Sequence, residues 1–96
     1  MEIKVQSIRF DADQKLLDFI EKKLGKLNRY FDNIIRTDVT LSLEPDHGKK
    51  VQAKIAVPGD ELVVERCAGT FEDAVVAVAD ALQEMLVKTK EKRYGK

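Results

Sequence analysis

Between Thr37 and Ala68 the chain runs through three successive stretches of alternation, and each break between them is a turn signal. Val39, Leu41 and Leu43 alternate with Asp38, Thr40, Ser42 and Glu44. Val51, Ala53, Ile55 and Val57 form the next apolar set, and Leu62 and Val64 the last. A period of two residues puts each set on one side of an extended chain, so these stretches are expected to be half-buried strands over residues 37–43, 50–57 and 61–68. Pro45-Asp46-His47-Gly48 separates the first pair of strands and Pro58-Gly59-Asp60 the second, where proline followed by glycine suits a type II turn. Connections this short join antiparallel neighbours, which makes the segment a three-stranded meander.

The flanks follow a different period. Ile3 and Val5 alternate with Glu2, Lys4 and Gln6, predicting a further strand over residues 2–7. Asp13 is the N-cap candidate for a helix from Gln14 to about Tyr30, closed by Asp32-Asn33. Its apolar stripe is Leu17, Ile20, Leu24, Leu27 and Phe31, at steps of three and four. Lys15, Lys22, Lys26 and Arg29 lie on the opposite side, with Lys23, Phe19 and an exposed Tyr30 on one flank. Gly25 falls inside this helix, away from the stripe, with no packing reason visible; close approach of a ligand backbone and neutral drift are equal readings of it. A second helix opens at Thr70-Phe71-Glu72-Asp73, a capping-box-like pattern with aspartate in place of glutamate. Its stripe is Phe71, Ala74, Val75, Val78, Leu82, Met85 and Leu86. Asp73, Asp80, Glu84 and Glu91 occupy the outer face, where Val76 and Val87 also point outward. Lys88, Lys90, Lys92, Arg93 and Lys96 crowd the end.

Because every strand alternates, the sheet has one wet face, and both helices must cover the other. The expected fold is α+β: a two-layer β-α-β-β-β-α sandwich with a four-stranded mixed sheet and two helices on one face. The first strand reaches the second through a helix, so that crossover is expected to be parallel and right-handed. Residues 1–96 make a single domain at this length.

Composition narrows the function. With 17 basic and 17 acidic residues the formal net charge is zero, so nucleic-acid binding cannot rest on overall charge and must rest on its distribution. Cys67 is the only cysteine, which leaves no internal disulfide and no CxxC metal pair. His47, the only histidine, lies in a turn and has no zinc-ligand spacing around it. No phosphate-binding glycine loop or nucleophile elbow occurs, and the aspartates are accounted for by caps and a solvated face. We therefore expect no enzyme, no metal, no cofactor and no small-molecule substrate. Without a signal peptide or an apolar run near the ~20 residues that span a bilayer, the chain is expected to be cytoplasmic, with no membrane partner.

What remains is basic: Lys22, Lys23, Lys26 and Arg29 on the first helix, and Lys88, Lys90 and Lys92 at the end of the second. Helices lying side by side would let the two clusters share a surface able to bind phosphates without reading sequence, with Tyr30 available for stacking. The architecture is similar to that of double-stranded RNA-binding domains. The segment Lys23-Leu24-Gly25-Lys26-Leu27-Asn28-Arg29-Tyr30-Phe31-Asp32, the turn Pro58-Gly59-Asp60 and the close Leu86-Val87-Lys88-Thr89-Lys90-Glu91-Lys92 resemble the bacterial ribosome hibernation-promoting factors of the protein Y group, in its short form. The resemblance implies a translation inhibitor that binds the small ribosomal subunit and its ribosomal RNA through the basic helix residues. It would occlude the channel used by messenger and transfer RNA. Family members often carry basic residues where this chain has Ala81 and Glu84. Two missing cations imply a salt slope of RNA binding smaller by about two units. An older family label, modulation of a transcription sigma factor, implies the alternative of a protein-interaction module acting through the acidic outer face of the second helix and Val76 and Val87.

Overall fold

The computed structural model describes residues 2–31, 33–46 and 48–91. The elements are β1 (Glu2–Ser7), α1 (Gln14–Gly25), a 3-10 turn (Lys26–Arg29), β2 (Arg36–Glu44), β3 (Gly48–Val57), β4 (Asp60–Ala68) and α2 (Phe71–Lys90). The strands form one sheet in the order β1-β2-β3-β4. β1 pairs parallel with β2, and the other two pairings are antiparallel. The register sets Val5 beside Val39, Val39 beside Ala53 and Ala53 beside Val64. This apolar row crosses the whole sheet on the face that the helices cover.

The helices begin as their caps dictate. The Asp13 carboxylate accepts from the Leu16 N–H at 2.9 Å, and the Thr70 hydroxyl accepts from the Asp73 N–H at 3.1 Å. Each satisfies an amide that the first helical turn leaves without a partner. α1 contributes Leu16, Ile20 and Leu24 to the core, and α2 contributes Phe71, Ala74, Val75, Val78, Leu82 and Leu86. They close on Val39, Leu41, Val51, Ala53, Ile55, Val57, Leu62 and Val64 of the sheet. Each large side chain so buried contributes about 1.5–3 kcal/mol over its exposed state. Met85, expected in the α2 stripe, is half-buried.

Three expectations need correction. The first helix does not continue to Tyr30: α1 ends at Gly25, and Lys26–Arg29 wind as a 3-10 turn. At three residues per turn Leu27 returns nearly above Leu24, so both stay over the core, 2% and 0% exposed. The stripe is also rotated. Leu16 is buried, whereas Leu17 is half-buried, because α1 packs against both α2 and β1 and its buried line runs Leu16, Ile20, Leu24 at steps of four. Leu43 shares the inward parity of Leu41 but is 52% exposed. It lies opposite Lys49, near the hairpin end of β2, where no helix covers the sheet. Ser42 is buried instead, its hydroxyl donating to Glu44 Oε2 at 3.3 Å.

Candidate functional site

The two helices run in the same direction. Phe10, just ahead of α1, stacks on Phe71, the first residue of α2, with ring centroids 5.1 Å apart. A cleft of about 330 Å³ at this end is lined by Asp13 and Leu16 from the start of α1 and Thr70 and Phe71 from the start of α2. Further along, both α1 and the 3-10 turn contact α2. The C-terminal ends of both helices therefore lie at the opposite end of the molecule. That end holds Lys22 and Lys23 in the last turn of α1, Lys26 and Arg29 in the 3-10 turn, and Lys88 and Lys90 in the last turn of α2. Cations suit this position, because unpaired carbonyls give a helix C-terminus a partial negative charge.

The charges of the sheet are arranged differently. On its uncovered face Lys50 Nζ lies 3.9 Å from Glu44 Oε2 and 3.7 Å from Glu65 Oε2. Arg36 Nε lies 3.2 Å from Asp38, and Lys4 approaches Glu2 at 4.0 Å. Among the described residues no ion pair joins Lys22, Lys26, Arg29, Lys88 or Lys90 to a carboxylate. The sheet thus holds three ion-paired cations beside Lys49, Lys54 and Arg66, and the helical end gathers exposed cations with no carboxylate partner among the described residues. Sequence periodicity identified the helical cations. It gave no signal for the pairing of Lys50, whose partners come from β2 and β4.

The individual candidates differ. Lys22, Lys26, Arg29, Lys88 and Lys90 are exposed. Lys23 is half-buried, its Nζ 5.5 Å from the centroid of the Phe19 ring one helical turn back. Tyr30, expected as an exposed aromatic, is half-buried and packs against the core beside Phe31. Its place after the 3-10 turn, between buried Leu27 and Phe31, leaves it too close to the core to stay exposed. Lys92, Arg93, Lys96, Asp32 and His47 lie outside the described residues. Glu84 is exposed, one turn before Lys88, and Ala81 is half-buried at the edge of the core. Cys67 is a free, exposed thiol on β4. Among the described residues no group of acidic, histidine or cysteine side chains could hold a metal ion, and no helix is long and apolar enough to cross a membrane.

A four-stranded mixed sheet, covered on one face by two parallel helices whose C-terminal ends gather exposed cations, defines a small α+β domain with a polarised surface. The same fold occurs in the N-terminal domain of Thermus thermophilus Protein Y, with a TM-score of 0.83 and 26% identity, covering 93% of this chain and 99% of that one. The chain belongs to the family described as Sigma 54 modulation protein / S30EA ribosomal protein, whose model matches residues 3–94. A protein named ribosome hibernation promoting factor from Azotobacter vinelandii is 30% identical over 93 residues, covering 97% of this chain and 86% of that protein. One of the same name from Pseudomonas putida is 30% identical over 95 residues, covering 99% of this chain and 92% of that protein.

Proposed function

We propose that this chain is a ribosome-associated hibernation factor that binds the small ribosomal subunit through the basic end of its two helices. Family membership and the names of its relatives support the ribosomal role. The observation that carries the choice of surface is clustering: Lys22, Lys26, Arg29, Lys88 and Lys90 gather, exposed, at the C-terminal ends of the two helices with no carboxylate partner among the described residues, while Lys4, Arg36 and Lys50 on the sheet are ion-paired and Lys49, Lys54 and Arg66 are spread along β3 and β4. Unpaired lysines and arginines on rigid helices neutralise phosphates and release counterions without reading base sequence. Ribosomal RNA is a partner of that chemistry; Lys23 would extend the same surface, and Lys92, outside the described residues, is a further candidate contact from the sequence. The action is occlusion. A bound domain excludes messenger and transfer RNA from the space that it fills, with no bond made or broken. Such a role is exercised in the cytoplasm, by the single domain of residues 1–96.

The test is co-sedimentation with purified small subunits at rising salt, for the unchanged chain and for a Lys23→Glu, Lys26→Glu, Lys88→Glu variant. Binding that weakens with salt and disappears in the variant is the expected result. Equal binding by the two chains would refute the assignment.

A second reading has its own observation. Val76 and Val87 on α2 are 38% and 36% exposed, on a helix whose outer surface also carries Asp73, Asp80 and Glu84. A protein partner docking there, of the kind that the sigma-factor part of the family description suggests, would bind independently of the α1 lysines and be lost on Val76→Lys.

A further inference from the structure

Gly25 has none of the usual structural reasons to be glycine. Its φ of −61° and ψ of −26° are ordinary right-handed helical values that any residue adopts. A Cβ built at Gly25 would meet nothing within 4 Å, and the residue is exposed. Gly48 shows the contrast, with a φ of +85° and a Cβ position only 2.7 Å from the Ala68 carbonyl oxygen. Glycine within helical structure costs roughly 0.5–1 kcal/mol relative to alanine. At residue 25 nothing inside the molecule offsets that cost.

The surroundings point outward. On a helical surface the neighbours of a residue are three and four positions away, which for Gly25 are Glu21, Lys22, Asn28 and Arg29, two of them cations, and Lys26 follows it directly. Four α-helical residues rise about 6 Å, and three 3-10 residues about the same. Lys22, Lys26 and Arg29 therefore step along the surface at nearly equal intervals, as the phosphates of one nucleic-acid strand do. The patch bare of side chain lies inside that row, where a strand held by the flanking cations would otherwise meet a Cβ and whatever it carried.

We propose that Gly25 is the point of closest approach for an RNA strand: its ribose-phosphate backbone packs on the exposed peptide backbone at Gly25 while Lys22, Lys26 and Arg29 hold the flanking phosphates. This rests on the reading of the helical end as an RNA-binding surface. Gly25 acts by leaving room, so the cost lies in bulk at that position and not in lost charge.

The experiment compares Gly25→Ala, Gly25→Met and the triple glutamate variant for binding to purified small ribosomal subunits, with helicity and melting temperature followed by circular dichroism. Methionine is a good helix former, so Gly25→Met melts no lower than the unchanged chain. It should nevertheless bind about tenfold more weakly, the scale of pushing one or two phosphate contacts out of reach. Gly25→Ala should raise the melting temperature and lose less than Gly25→Met. Binding by Gly25→Met within about twofold of the unchanged chain would overturn the inference, since a retained phosphate row changes affinity little. Equal losses in both variants would also overturn it, because the effect would then follow backbone propensity. If Gly25→Met binds normally while the triple variant does not, the RNA surface stands and Gly25 has no part in it. If the triple variant still binds, the surface itself is wrong and the inference fails with it.

Discussion

The rings of Phe10 and Phe71 are stacked 13° from parallel with centroids 5.1 Å apart, so the loop leading into α1 is clamped to the first residue of α2. Lys49 adds its ammonium 5.9 Å from the Phe71 ring. The clamp holds the N-terminal ends of the helices together, at the end of the molecule away from the basic C-terminal ends. Stacked aromatic pairs contribute about 0.5–1.5 kcal/mol beyond their burial. A double-mutant cycle of Phe10→Ala and Phe71→Ala, read by urea denaturation, should give a coupling free energy of about 1 kcal/mol. Strict additivity would mean that the contact is incidental.

The Thr70 cap should be worth close to the usual value, since the hydroxyl is the acceptor for the Asp73 amide. Thr70→Ala should cost about 1 kcal/mol. In a domain of this size that lowers the melting temperature by roughly 4–8 °C. Thr70→Asp should retain nearly all of the stability, because a carboxylate caps the same amide and suits the helix N-terminus.

Gly48 should tolerate nothing larger. Gly48→Ala imposes a left-handed conformation on alanine and drives its Cβ towards the Ala68 carbonyl at 2.7 Å. The loss should exceed the ~1 kcal/mol of conformational strain alone. A melting temperature equal to that of the unchanged chain would show that the β2–β3 turn adopts another form in solution. Gly25→Ala is the internal contrast, with the opposite sign expected.

Leu82 is fully buried in the face of α2 that meets the core. Leu82→Ala should destabilise the fold by about 2–5 kcal/mol, the range for a large-to-small change where packing cannot close the cavity. Chemical denaturation measures this directly, and a loss under ~1 kcal/mol would contradict the packing described.

Glu84 stands one turn before Lys88 on the proposed RNA surface. Glu84→Lys should steepen the dependence of log affinity for small subunits on log salt by about one unit, as one more phosphate is neutralised. An unchanged slope would mean that the RNA does not reach this part of α2.

The sequence alone determined the order of elements, the meander, both N-caps and the α2 core, because these depend on local periodicity and short-range hydrogen bonds. It also located every basic residue at the described helix ends. What it misjudged depends on contacts between distant segments. The helical pattern reads straight through Gly25, but the shift to a 3-10 turn there depends on keeping Leu27 and Phe31 over a core that includes the sheet. Leu43 has the correct parity and still faces water, because covering a strand end requires a helix overhead. Charge was the same case. The sequence counted equal numbers of acids and bases, but only the register of β2, β3 and β4 brought Glu44 and Glu65 to Lys50. Alternation and capping are settled within a few residues of chain. Pairing and exposure are settled by what lies across the fold, and the tertiary structure decided those.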